Sequence, residues 1–210
     1  RRRQPWDAMY QDVATYVFPG RYPGMESTVW TPDVANYASL FDSTAVHGLE
    51  INANGCLAWM TPAEAVWFAY SAPKSLKDDS AKKWLANASQ VAREELGRSN
   101  FYEATHEFHF DRSGFGTGAV YGEPGDEGAV TFHHWPVGTF VIALDHQGRV
   151  NTAIRKFQLT ADQAGEKFGL ENLPEKITKC ITKGGAELEK QFTFLHFVMP
   201  RKKEDRKGTP

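Results

Sequence analysis

The chain has 210 residues, enough to bury a real core in one generous domain or two small ones. With 41% hydrophobic and 24% charged residues it reads as globular rather than disordered. A formal net charge of −2 supplies no overall field to attract nucleic acid or an anionic membrane. Aromatics reach 13%, with six Trp, which favours large buried contacts or subunit interfaces. The two cysteines, Cys56 and Cys180, sit on apolar helix-like stretches without flanking positive charge and read as two buried, reduced thiols. No apolar run is long enough to span a membrane. The first residues are Arg1-Arg2-Arg3 rather than Met, and the last are R-K-K-E-D-R-K-G-T-P, so the sequence is expected to be an excerpt of a longer chain.

From Trp6 to Phe18 the apolar residues Trp6, Met9, Tyr10, Val13, Tyr16 and Val17 recur at helical spacing, and Pro19-Gly20 ends the pattern. Residues 21–36 hold Pro23, Gly24 and Pro32 and are expected to be irregular. A second helix is expected near Asp42-Ser43, with Val46, Leu49, Ala53, Cys56, Leu57 and Met60 as its stripe. Gly48 and Gly55 on it would permit close approach by a neighbour. Thr61-Pro62 has the look of another helix start, leading into Trp67, Phe68 and Tyr70. Asp78-Asp79-Ser80 introduces the clearest helix, with Trp84, Leu85, Ala88, Val91, Ala92 and Leu96 on one face and Gly97 as its stop. Phe101, Thr105 and Phe108 begin a further helix that runs into the glycine-rich stretch D-R-S-G-F-G-T-G, residues 111–118.

Beyond that point the pattern becomes strand-like. Residues 119–121 and 129–133 read as short strands around the turn G-E-P-G-D-E-G. Residues 139–144 and 149–157 form a hairpin across Asp145-His146-Gln147-Gly148. Thr160 and Gln163 in T-A-D-Q make a capping box that opens a short helix ending at Phe168-Gly169. Pro174 begins another, with Ile177, Cys180 and Ile181 inward and Gly184-Gly185 as its stop. Phe192 to Met199 is a last strand, apolar on both faces and expected between layers. The fold class is therefore α+β: a helical stretch over 1–116, an antiparallel β layer with short helices over 117–200, and a charged run over 201–210.

The candidate chemistry is sparse. Phosphate-cradling glycine loops follow a strand and open a helix, whereas the run at 111–118 follows a helix and opens a strand. It reads as a structural corner, with Gly114, Gly116 and Gly118 as hinge positions supplying positive φ and close backbone approach. His106 and His109, with Glu103, Glu107 and Asp111 nearby, could hold zinc. H-E-F-H, however, lacks the spacing of the paired-histidine protease helix. His133 and His134 are adjacent on a strand and point to opposite faces. No G-x-S-x-G elbow is present, and the acidic pairs at 78–79, 94–95 and 126–127 lie beside a cap, on a polar helix face and in a turn, as ordinary solvated surface. The basic ends read as solvated termini, and the aromatics are not interleaved with lysines as a single-strand stacking platform requires. Neither catalytic nor cofactor-binding nor metal-binding residues are assigned.

Taken as an ordered set, these segments resemble the head-to-tail connecting (portal) proteins of short-tailed, T7-like bacteriophages. The resemblance is carried by W-D-A-M-Y with Y-V-F-P-G-R, then L-F-D-S-T-A, M-T-P-A-E-A-V-W-F-A, S-N-F-Y, D-R-S-G-F-G-T-G, P-V-G-T-F-V-I-A-L-D-H-Q-G-R-V-N-T, R-K-F-Q-L-T-A-D-Q-A-G-E-K-F-G and F-V-M-P-R. It implies a non-enzymatic subunit of a dodecameric ring at one capsid vertex, through which double-stranded DNA passes without sequence specificity. The implied partners are major capsid and scaffolding proteins, tail adaptor proteins, and the large subunit of a separate terminase that carries the packaging ATPase. The implied location is the virion, after assembly in the host cytoplasm. In this reading 1–116 and 117–200 are helical and β-rich parts of the wing, and 201–210 leads toward a stem and clip. Trp6, Tyr10, Trp30, Trp67 and Phe68 are candidates for ring-interface anchors or for core. The excerpt alone is expected to associate weakly. The rival readings are a small hydrolase using a metal at His106 and His109 plus a carboxylate, and another virion structural or adaptor protein.

Overall fold

The computed structural model describes residues 4–18, 21, 40, 42–73, 78–125 and 130–201. They fall into two compact units, one holding 4–21 and 40–137, the other 138–201. The fold is α+β, as the sequence implies: helices dominate the first unit, and two antiparallel sheets follow in chain order. Trp30, most of the irregular stretch expected after Arg21, and the charged run after Arg201 lie outside the described residues.

The first unit contains α1 (Gln4–Tyr16), α2 (Thr44–Met60), α3 (Asp79–Arg98), α4 (Phe101–Phe115), β1 (Ala119–Pro124) and β2 (Val130–Trp135). Helix α4 is its axis, in contact with α1, α2, α3 and both strands. Ala104, Thr105, His109, Asp111 and Phe115 are all buried, so α4 is covered on more than one side. Phe18, just past α1, stacks on Phe115 at 5.5 Å between ring centroids and lies 4.5 Å from Phe110. Gly114 makes room for it, since a Cβ there would sit 2.9 Å from Phe18 Cδ1.

Helix α2 is stapled to α4 by polar side chains rather than by glycine. Ser113 donates to Asn52 Oδ1 at 2.8 Å, His106 Nε2 meets Asn54 Oδ1 at 3.0 Å, and Ala53 between them is fully buried. Gly48 and Gly55, expected to admit a neighbour, face open space instead.

Three sequence expectations fail in the next stretch. No helix starts at Thr61-Pro62. The Thr61 N–H donates to Leu57 O and closes α2, and residues 62–73 run non-helically against α3. Side chains of α3 take up backbone groups that a helix would have paired. Buried Ser89 accepts from the Tyr70 N–H at 2.8 Å, and Arg93 donates to the Phe68 carbonyl at 3.0 Å. Those contacts also rotate α3. Its inward face carries Leu85, Ala88, Ser89 and Ala92, leaving Trp84 69% and Val91 57% exposed. Gly97 does not stop the helix, which continues to Arg98.

Strands β1 and β2 pair antiparallel, Ala119 opposite Trp135 and Tyr121 opposite His133. The Asn100 side chain receives the Phe132 N–H at 2.8 Å and donates to the Phe132 carbonyl at 2.7 Å. It thus acts as a one-residue strand on β2 and fixes the sheet to the start of α4.

The second unit contains β3 (Phe140–Leu144), β4 (Val150–Thr160), α5 (Ala161–Phe168), α6 (Glu175–Lys183) and β5 (Gln191–Val198), with sheet order β3-β4-β5. The hairpin turns where expected: Asp145 Oδ1 accepts from the N–H groups of Gln147 and Arg149, and Gly148 adopts φ 76°. The capping box also forms, with Gln163 N–H on Thr160 Oγ1 at 3.2 Å and Thr160 N–H on Gln163 Oε1 at 3.0 Å. Ala161, Ala164, Ile177 and Cys180 make the core, with Phe192 and Phe194 of β5 packed on it. Strand β5 is not covered on both faces. Leu195 and Phe197 alternate with the packed residues and stand 57% and 49% exposed, because α5 and α6 cover one face only.

Candidate functional site

The most constrained polar constellation centres on Asp111, whose side chain is fully buried. Its apolar-stripe position on α4 places it among Ala104, Phe108 and Phe115, where an unpaired carboxylate would be costly. Three donors satisfy it. Arg21 Nε reaches Oδ1 at 3.0 Å, His134 Nε2 reaches Oδ2 at 2.8 Å, and the Val137 N–H reaches Oδ2 at 3.2 Å. Arg21 also pairs through Nη2 with Glu107, one turn earlier on α4. Its guanidinium packs against both rings of an aromatic pair, 5.4 Å from the Phe18 ring centroid and 5.5 Å from that of Phe110. Burial works against the Arg21 charge, but Asp111 and Glu107 more than offset it and hold the group above its ordinary value. The planar fork of arginine suits this double engagement, which lysine could not reproduce. The knot ties Arg21, five residues past the end of α1, to helix α4, to His134 of β2 and to Val137 just beyond it. Every lone pair it uses is engaged in holding structure.

His133 and His134 diverge as strand geometry requires: His134 turns to Asp111, and His133 Nε2 meets Glu123 Oε1 at 2.9 Å. His106 Nδ1 lies 3.7 Å from Glu107 Oε1, but His109 does not join them in one site. His106 is engaged with Asn54, His109 is buried, and no three His, Cys, Asp or Glu among the described residues are placed to hold a metal ion. The thiols need one correction. Cys56 does have a cationic neighbour, because α2–α4 packing brings Arg112 Nη2 within 3.0 Å of its sulfur from 56 residues away. Cys180 is buried in the second unit's core, and both thiols are free.

His109 gives the first unit an acid-sensitive component. Burial first, then the charges of Arg112 and His106, hold its imidazole below the ordinary 6.5. Its Nδ1 finds no hydrogen-bond partner among the described residues. The unfolded chain therefore takes up this proton before the folded chain does, and stability is lost as pH falls below about 6.5. Denaturant midpoints measured between pH 7.5 and 5 are expected to fall, and to fall less steeply in His109→Gln.

Along the glycine run α4 ends at Phe115 and β1 begins at Ala119. Gly116 ends α4 with a left-handed φ of 74°, its N–H bonded to Arg112 O. At Gly118 a Cβ would lie 2.8 Å from Phe108 Cδ2 and 3.0 Å from the Phe108 carbonyl oxygen. Backbone cannot yield there, so Gly118→Ala is expected to cost about 1–3 kcal/mol in chemical denaturation. Gly116→Val is strained by backbone conformation alone, since its Cβ would meet nothing within 4 Å.

Comparison with known proteins decides the family. The model for the bacteriophage head to tail connecting protein family matches residues 1–209. The chain belongs to that family. A probable portal protein of Bordetella phage BPP-1 is 30% identical over 208 residues, covering 97% of this chain and 36% of its own length. A portal protein of Salmonella phage epsilon15 is 25% identical over 177 residues, covering 83% of this chain and 32% of its own length. The chain thus spans about a third of these relatives.

For a member of the head-to-tail connecting family, the exposed aromatics become the surface of interest. Of the expected anchors, Trp6 is 56% exposed on α1. Tyr10 meets Phe115 edge-on at 5.6 Å, Trp67 stacks on Phe101 at 5.9 Å, and Phe68 sits under Arg93. Tyr10, Trp67 and Phe68 are thus partly buried within the unit. Sequence reasoning missed Trp59, at 88% exposed, and placed Trp84 inward. Trp59 falls off the α2 stripe read from the sequence, which was the available signal.

Proposed function

We propose that the chain forms the wing region of a portal subunit, with 1–116 as its helical part, 117–200 as its β-rich part and 201–210 leading toward stem and clip. The complete protein assembles as a dodecameric ring at one capsid vertex, in the virion after assembly in the host cytoplasm, and forms the conduit for DNA packaging and ejection. Its role is structural, with the ATPase supplied by the large subunit of a separate terminase that docks on the ring. Major capsid and scaffolding proteins, tail adaptors and double-stranded DNA passing without sequence specificity complete its partners.

The observation that carries this reading is the family match over residues 1–209. Two features support it. A net charge of −2 suits a ring through which DNA slides, since phosphate affinity comes from clustered cations. Exposed Trp6, Trp59 and Trp84 suit side-to-side contact, because tryptophan is enriched at the energetic centres of interfaces. Gly114, Gly116 and Gly118 serve as the corner where the helical part passes into the strands. The test is genetic. Disrupting the gene in its phage or prophage is expected to leave capsids without packaged DNA, restored by supplying the intact protein in trans. DNA-filled heads in the disrupted strain would overturn the proposal.

A further inference from the structure

Two exposed rows of unlike shape run along α2 and α3 of the first unit. On α2, Gly48, Ile51, Gly55, Ala58 and Trp59 share the side turned away from Ala53, which is fully buried. An exposed helix face is normally polar, yet this row carries no charged side chain. Its glycines are not explained by the fold, since a Cβ at Gly48 or at Gly55 would meet nothing within 4 Å. Glycine weakens a helix interior, so both positions cost stability without gaining a contact inside the chain. On α3, Trp84 and Val91 stand exposed on the side away from buried Ser89. The two rows share a period: Trp84 and Val91 are seven residues apart, as are Gly48 and Gly55, which is about 10.5 Å along either helix.

We infer that the α2 row receives the α3 row of a second copy of this chain, with Trp84 and Val91 seated over Gly48 and Gly55. Given the ring proposed above, on which this rests, the contact is head-to-tail. The two faces differ, so each copy offers α2 to one neighbour and α3 to the other. Neither row brings a charge that would have to be stripped of water. Trp59 on one side and Trp84 on the other each supply about a quarter of the roughly 800 Å² that a stable interface buries per partner. Large side chains over glycines at one shared spacing give the close packing that such an interface needs.

Disulfide crosslinking of the complete gene product, in a Cys56→Ser background, tests the pairing. Gly55→Cys is combined with Trp84→Cys in one variant and with Val91→Cys in another, and both are mildly oxidised after assembly. All three positions are exposed or unobstructed, so folding is not at stake. One of the two variants is expected to give a ladder of linked oligomers beyond the dimer, because a head-to-tail contact joins each copy to two neighbours. Each single variant is expected to match the Cys56→Ser parent. Adding Gly48→Leu fills the slot and is expected to reduce the ladder at least tenfold, with a urea midpoint no lower than that of the parent. Dimers from Gly55→Cys alone would overturn the inference, since the row would then meet its own kind. Rings seen by electron microscopy without a ladder in either double variant would also overturn it and leave the portal reading standing. Absence of rings would overturn both.

Discussion

Asp111→Ala is expected to destabilise the first unit by about 3–5 kcal/mol, the range for breaking a buried ion pair from one side. Removing the carboxylate strands Arg21 beneath Phe18 and Phe110 with only Glu107 for charge, and it leaves His134 and the Val137 N–H without their acceptor. Thermal unfolding should show the loss as a fall of roughly 2–4 °C per kcal/mol for a chain of this size. Arg21→Ala exposes the converse defect, a buried carboxylate without its cation, and the two single variants together with the double variant form a cycle. A coupling energy near zero would contradict the knot, because residues sharing one buried hydrogen-bond network are expected to be strongly non-additive.

Phe115→Ala should cost about 3–5 kcal/mol, the usual range for truncating a buried phenylalanine. The ring is 4% exposed, stacks on Phe18 and meets Tyr10 edge-on, so its removal opens a cavity between α1 and α4 that flanking backbone cannot close. Trp59→Ala is the contrasting case. At 88% exposure it should change the stability of the isolated chain by no more than about 0.5 kcal/mol, read from urea midpoints at constant slope. Under the portal proposal the same substitution is free to weaken ring assembly, so stability and assembly separate at this residue.

Much of the fold was legible because local chemistry dictates it. The capping box at Thr160 and Gln163 and the Asp145–Gly148 turn each follow from a few neighbouring residues, and both are present. The misreadings share a cause in long-range packing. Thr61-Pro62 carries a good local helix signal, but Ser89 and Arg93, 19 and 25 residues from their partners, hold the following stretch out of helical conformation. Trp84 follows the apolar period of α3, yet the buried hydroxyl of Ser89 sets which way the helix faces. Strand β5 is apolar throughout, and only the sheet's one-sided cover reveals that Leu195 and Phe197 stand open.

The Asp111 knot was partly visible. A charged residue at the spacing of Ala104, Phe108 and Phe115 is out of place on an apolar stripe, which was a signal for a buried, paired carboxylate. Its partners were not visible, because Arg21 comes from 90 residues away and Val137 contributes only a backbone N–H. The family itself was legible in the order of several short segments, none of which would have sufficed singly.

Cryo-electron microscopy of the complete gene product carrying this sequence is the decisive test of the portal proposal. Closed twelve-fold rings with a central channel are expected, in which these 210 residues form the outward-spreading part with Trp59 or Trp84 at a contact between neighbouring subunits. Monomers, or closed particles without a channel, would contradict it.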